Sequence, residues 1–193
     1  MKKQLGFLVD VNRCVGCNTC EIACKQEYNI SPGIKWRRTY TVNPEGHPEF
    51  PTYYFSLACN HCDNPLCSKG CPAGAYTKRE KDGIVIHNQD KCIGCRYCTW
   101  NCFYGTPQFN KEKGRVEKCN LCYERIDKGL EPVCVIACPV QALKLIEIES
   151  NKYDDIIPGF RRLNFKPSVK FILPENITEK EIILNYVNKI KSK

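Results

Sequence analysis

The chain has 193 residues, 42% of them hydrophobic and 26% charged, ordinary proportions for a globular protein of one domain or two small ones. Its sixteen cysteines are not ordinary, and 29 Lys+Arg against 21 Asp+Glu leave a formal charge of +8. Apolar runs such as 5–9 and 133–140 are too short for a secretory leader or a membrane span, so the expectation is a chain made in a reducing compartment, with no span of its own, whose thiols bind metal.

In chain order, the first feature is Cys14, Cys17, Cys20 and Cys24, spaced C-x2-C-x2-C-x3-C. Residues 25–58 carry no cysteine, and two β-rich segments, 36–42 and 52–57, flank the turn-forming NPEGHP at 43–48, which predicts a hairpin. The second group, Cys59, Cys62, Cys67 and Cys71, reads C-x2-C-x4-C-x3-C, and Asp82-Gly83 then leads into a short predicted strand at 84–87. Cys92, Cys95, Cys98 and Cys102 repeat the first spacing, and Cys119, Cys122, Cys134 and Cys138 close the series as C-x2-C-x11-C-x3-C. The alternating ALKLIEI at 142–148 predicts a closing strand. Beyond it, polar residues and scattered prolines predict an extended arm ending in a helix, with a Thr178/Glu181 capping box and an apolar stripe of Ile182, Ile183, Tyr186, Val187 and Ile190. That stripe packs either on its own domain or on a partner subunit.

Three thiolates spaced by two residues can wrap three corners of one iron-sulfur cube, while a fourth after x3 lies on the following helix and ligates the other cluster. No cysteine is left over, and four groups of four form an internal repeat. Pro72 and Pro139 follow Cys71 and Cys138 as in two-cluster ferredoxins; Lys25 and Phe103 stand after Cys24 and Cys102, and the missing proline is not a ligand. Structural zinc is the alternative for C-x2-C pairs, but it takes two well-separated pairs, whereas groups one and three each place four thiols within eleven residues. The Lys and Arg residues are scattered, which argues against nucleic-acid binding. If all sixteen cysteines were thiolates on four oxidised [4Fe-4S] cores, the excess cation would cancel to about zero. His61, inside Cys59-x-x-Cys62, either hydrogen-bonds a cluster sulfur or is a packed loop residue. No dinucleotide fingerprint, P-loop or nucleophile elbow occurs, so nucleotide binding and serine hydrolysis have no support.

The four groups in this order, with CIGCRYC (92–98), CNHC (59–62), PLCSKGCPAGA (65–75), Lys118-Cys119, GFLVD (6–10) and Trp36-Arg37-Arg38, resemble the iron-sulfur subunit of anaerobic dimethyl sulfoxide reductase over roughly residues 4–148. That subunit belongs to the four-cluster ferredoxin-like subunits of molybdenum or tungsten bis-pterin oxidoreductases. The resemblance implies an α+β fold of two bacterial-ferredoxin-like two-cluster domains nested in sequence: residues 1–24 with 103–148, carrying groups one and four, and 59–102, carrying groups two and three. A β-hairpin insertion, 25–58, and a C-terminal arm and helix, 149–193, complete it. It implies four [4Fe-4S] clusters as cofactors: the first on Cys14, Cys17, Cys20 and Cys138, the second on Cys24, Cys119, Cys122 and Cys134, the third on Cys59, Cys62, Cys67 and Cys102, the fourth on Cys71, Cys92, Cys95 and Cys98. In related nitrate reductase subunits a Trp matches Cys95 and the cluster is [3Fe-4S]; the cysteine here favours four cubes.

The implied function is a non-catalytic electron relay of anaerobic respiration. Its partners would be a large molybdenum or tungsten pterin catalytic subunit, facing groups one and four, and a hydrophobic, quinol-oxidising membrane anchor, facing groups two and three; nucleic acid is not a partner. The location would be cytoplasmic or membrane-associated through partners, or export in folded form with a catalytic subunit bearing a twin-arginine signal. Lys118, Arg96, Arg13 and Trp100 are candidates for tuning cluster potentials. The alternatives are a free-standing polyferredoxin, or the equivalent subunit of a polysulfide or thiosulfate reductase, a formate dehydrogenase or a transhydroxylase.

Overall fold

A computed structural model describes residues 3–42, 46, 52–148 and 166–173. In chain order the elements are β1 (Leu5–Asp10), α1 (Thr19–Glu27), β2 (Arg38–Val42), β3 (Tyr53–Leu57), α2 (Leu66–Lys69), β4 (Tyr76–Lys78), β5 (Val85–His87), α3 (Tyr97–Asn101), β6 (Gln108–Asn110), β7 (Arg115–Glu117), α4 (Tyr123–Ile126), α5 (Val133–Ile136), β8 (Leu143–Glu147) and β9 (Val169–Ile172).

The run LGFLVD is almost continuously apolar, as a strand covered on both faces must be, and β1 is the middle strand of the sheet β8-β1-β9. β8 pairs with it antiparallel, Leu5 opposite Glu147 and Val9 opposite Leu143, so residues far apart in sequence meet at one ladder. β9 runs parallel on the other side, Phe7 opposite Val169. Gly6 lies where the β9 segment comes closest: a Cβ there would sit 2.1 Å from the Ser168 carbonyl oxygen and 2.7 Å from Ile148 Cδ1. Part of the segment expected as an extended arm after 148, Val169–Ile172, is a sheet strand. Its four residues are too short a pattern to read alone, and pairing with β1 makes them a strand. The helix expected at 178–190 lies outside the described residues.

β2 and β3 pair antiparallel, Thr39 opposite Ser56, inside the two segments predicted for the hairpin. β2 begins after Trp36 and Arg37: Trp36 stacks on Tyr28 with ring centroids 5.0 Å apart, and Arg37 is buried against Phe7. The hairpin is no free appendage, since Phe55 and Leu57 join the main apolar core with Leu5, Phe7, Val9 and Leu143, a core that also takes in Cys20, Cys59, Cys119 and Cys134. The strand predicted at 84–87 is β5, and its partner β4 gave no sequence signal; nor did the β6-β7 pair. These two hairpins enclose a smaller core of Tyr76, Val85, Cys98 and Val116. Among the described residues no helix is long and apolar enough to cross a membrane.

Candidate functional site

Groups one and three bend by the same device. Gly16 (φ 69°) and Asn18 (φ 60°) stand at the places that Gly94 (φ 72°) and Arg96 (φ 65°) occupy in the third group, all in the left-handed region. Alternating backbone hands curl a short loop around a centre, so successive cysteines face inward instead of to opposite sides. α1 then carries Cys20 and Cys24 one turn apart on its buried face. Cys24 lies inside α1, where a proline at 25 would remove a helical N–H, which accounts for Lys25 in this group.

Charge neighbourhoods say which thiols meet. Cys14 lies within electrostatic reach of Cys20, Cys138 and Cys17; Cys24 of Cys119, Cys134 and Cys122; Cys62 of Cys59, Cys102 and Cys67; Cys98 of Cys71, Cys92 and Cys95. Each of these four neighbourhoods, or tetrads, joins four thiols from two sequence groups. The tetrads also adjoin in series: Cys134 of the second reaches Cys20 of the first, Cys119 of the second reaches Cys59 of the third, and Cys67 of the third reaches Cys98 of the fourth.

Burial first, and neighbouring thiols among the causes after it, push eight of the sixteen up, Cys67 and Cys119 each to about 12. Thiols so placed would release their protons to solvent on binding a group that brings positive charge with it, as iron does. Backbone amides wait beside the sulfurs. Ala75 N–H donates to Cys71 Sγ at 3.4 Å and Ala142 N–H to Cys138 Sγ at 3.2 Å, each four residues on through a Cys-Pro turn; Leu121 N–H donates to Cys119 Sγ at 3.4 Å and Val116 N–H to Cys92 Sγ at 3.5 Å. Among the described residues no three His, Cys, Asp or Glu side chains converge as a single-ion site requires.

The third tetrad shows what the arrangement can hold. Cys59, Cys62, Cys67 and Cys102 line a cavity together with Asn60, His61, Tyr104 and Thr106. Thr106 Oγ1 lies 3.4 Å from Cys102 Sγ, while Asn60 Nδ2 and His61 Nε2 are buried without a partner among the described residues. His61 is 1% exposed, and Val85 N–H donates to its Nδ1 at 3.0 Å. Burial, with Lys118 and Lys78 nearby, holds its pKa well below the ordinary value, so the ring is neutral and its proton sits on Nε2. Four thiols and orphaned donors around one cavity fit an anionic iron-sulfur cube.

Of the tuning candidates, Lys118 is 3% exposed; its Nζ donates to the carbonyls of Val85 and Cys119 and lies near Cys67. The others are surface residues: Arg13 is exposed, Arg96 lies 3.8 Å over the Phe109 ring, and Trp100 is 76% exposed. Three residues that sequence reasoning missed face the thiols instead. Arg37 reaches Cys134 and Cys20, the Tyr76 hydroxyl lies against Cys98, and the Tyr28 hydroxyl against Cys122. Arg37 was visible only as part of Trp36-Arg37-Arg38, and nothing in that triplet tells which arginine is buried.

Residues 50–148, which include the second, third and fourth cysteine groups, match the family model of the 4Fe-4S dicluster domain. The chain is 44% identical over 182 residues to the B subunit of anaerobic dimethyl sulfoxide reductase from Escherichia coli (strain K12), covering 88% of each protein. It is 37% identical over 191 residues to the B subunit of the same enzyme from Haemophilus influenzae, with 94% of this chain and 89% of that one aligned. To the arsenate respiratory reductase iron-sulfur subunit of Shewanella sp. (strain ANA-3) it is 31% identical over 214 residues, 85% of this chain and 91% of that one.

Proposed function

The chain belongs to the family of 4Fe-4S dicluster proteins that includes the B subunit of anaerobic dimethyl sulfoxide reductase, and from that premise we propose that it is the electron-transfer subunit of an oxidoreductase complex of that type, with no catalytic centre of its own. It holds four [4Fe-4S] clusters: the first on Cys14, Cys17, Cys20 and Cys138, the second on Cys24, Cys119, Cys122 and Cys134, the third on Cys59, Cys62, Cys67 and Cys102, the fourth on Cys71, Cys92, Cys95 and Cys98. The two ferredoxin-like domains are nested, 1–24 with 103–148 around 59–102. The observation that carries the reading is the series of adjoining tetrads, first to fourth.

Bound clusters supply reversible one-electron chemistry. The chain's residues hold them in order, exclude water by burial, and aim backbone amides, Thr106 and His61 at the sulfurs. The first tetrad faces a large molybdenum or tungsten pterin subunit, and the fourth a hydrophobic anchor that oxidises quinol, so membrane association comes through partners. Exposed apolar side chains at both ends support docking there: Val15, Ile22 and Ile136 beside the first tetrad, Ile93, Tyr97 and Trp100 beside the fourth.

The test is an anaerobic, mild-detergent pull-down from the native cells, with co-purifying proteins identified by mass spectrometry and iron and acid-labile sulfide counted. About sixteen of each per chain, with a large pterin-binding subunit and a hydrophobic anchor, is the expected result. About four zinc ions and no sulfide would sink the cluster reading; an iron-replete chain recovered alone would favour the polyferredoxin.

A further inference from the structure

Arg37 is 2% exposed and heads the largest fully buried side chains, yet no carboxylate of the described residues pairs with it. Its guanidinium lies over the Phe7 ring, 4.2 Å from the centroid. Nη1 donates to Ser56 O at 3.3 Å and Ser56 Oγ at 3.2 Å, and that same hydroxyl lies 3.2 Å from Cys20 Sγ. Nη2 is buried with no oxygen or nitrogen partner among the described residues, on a side chain that approaches the Cys134 thiol. The thiols of Cys134, Cys20, Cys119 and Cys24 lie within electrostatic reach of the guanidinium.

An unpaired guanidinium is among the costliest groups to bury, so a countercharge belongs beside it. The groups near this one that can carry negative charge are thiols of two tetrads, Cys20 from the first and Cys24, Cys119 and Cys134 from the second. We infer that Arg37 is a fixed countercharge shared by the clusters of the first and second tetrads, raising the reduction potentials of both. A cluster gains one negative charge on reduction, and a nearby cation in a low-dielectric interior favours that reduced form. Arginine keeps its charge at every relevant pH, so the bias does not titrate. The hairpin insertion thereby acquires a task. Arg37 immediately precedes β2 and Ser56 lies in β3 opposite Thr39, so the hairpin delivers the cation and the hydroxyl that orients it to the boundary between two tetrads.

The inference rests on the cluster reading above, and the experiment separates the two. The complex is purified with wild-type chain, Arg37→Gln and Arg37→Lys, iron and sulfide are counted, and each cluster's potential is followed by a redox titration monitored by electron paramagnetic resonance. If the wild-type complex holds no iron and sulfide, the cluster reading itself fails. With clusters present, an iron-replete Arg37→Gln should show at least a tenfold lower reduced-to-oxidised ratio at fixed poise in both of the first two clusters, about 59 mV for a one-electron couple, with the fourth unmoved. A change in one cluster only, in all four alike, or in none would overturn the inference. Should Arg37→Gln lose iron, Arg37→Lys decides: an iron-replete lysine variant supports the countercharge, and one that also loses iron overturns it.

Discussion

Around β1, Cys20 of the first tetrad and the thiols of the second are enclosed by packing between segments that meet across the whole chain: β8, β9, the β2–β3 hairpin and the core of Leu5, Phe7, Val9, Phe55 and Leu143. Around β4–β5 and β6–β7, four three-residue strands hold a core of Tyr76, Val85, Cys98 and Val116. The first neighbourhood buries a permanent cation; in the second, the neutral His61 faces a cavity and the Lys118 ammonium is tied to two backbone carbonyls. The difference teaches that one region has enough apolar surface to keep its shape, while the other depends on what its thiols hold.

The largest expected effect follows from that dependence. Anaerobic chelation of iron should abolish hydrogen-exchange protection at Val85–His87 and Arg115–Glu117 while amides of β1 and β8 remain protected. Simultaneous loss of protection in both regions would break the comparison. A substitution that acts on the other side of it is Gly6→Ala, whose methyl would press on the Ser168 carbonyl and Ile148. Overpacking of that kind costs about 1–3 kcal/mol. The measurement is thermal unfolding with iron bound, and an unchanged midpoint would mean that β9 is not seated on β1 as described.

The sequence disclosed the chemistry more fully than the architecture. Cysteine spacing marks the thiols because three ligands to one cube need a short curled loop, and the hairpin and closing strand were legible from β-rich runs long enough to show a pattern. β4, β6 and β7 were not, since three residues cannot display a period and their pairing depends on Tyr76 meeting His87 and Phe109 meeting Val116. β9 was hidden for a similar reason: it is a strand because β1 offers an edge. Arg37 was hidden because burial of a charge is decided by segments that meet only in three dimensions, here Phe7, Ser56 and Cys134. Arg13, Arg96 and Trp100 lie close to cysteines in sequence yet face solvent, so nearness along the chain was the wrong guide to the cluster environment.

A middle-sized effect separates the two ways of presenting a donor. His61 Nε2–H is buried in the wall of the third tetrad's cavity without a partner among the described residues, so a sulfur of a cluster held there would be its match. A charge-assisted hydrogen bond is worth about 1.5–3 kcal/mol, enough for a tenfold change in the reduced-to-oxidised ratio at fixed potential. His61→Leu should therefore lower the potential of the third cluster and leave the first unchanged, with iron content near wild type. Loss of iron with no shift in the surviving clusters would mark His61 as a packing residue, needed for its bond from Val85 N–H.

The smallest effect lies at the seam between the neighbourhoods. Arg79, in the β4–β5 turn, forks onto Asp127 just after α4, Nη1 to Oδ2 at 3.1 Å and Nη2 to Oδ1 at 2.5 Å, while Lys81 Nζ adds a contact at 2.7 Å. Hydrogen bonds from Arg79 and then Lys81 hold the Asp127 carboxyl at about 2, below its ordinary 3.8. A folded-state value depressed in this way stabilises the fold above the ordinary carboxylate range, and the contribution is lost as pH falls from there toward about 2. Asp127 is on the surface, so the contribution is small and screened by salt. At neutral pH, Asp127→Asn should lower the unfolding midpoint slightly, and the difference from wild type should shrink as salt rises from about 0.01 M to about 1 M, where the Debye length drops from roughly 30 Å to roughly 3 Å. A difference indifferent to salt would assign the seam to packing of Arg79 over the Tyr123 ring, 5.4 Å from its centroid, and remove charge from what joins the two regions.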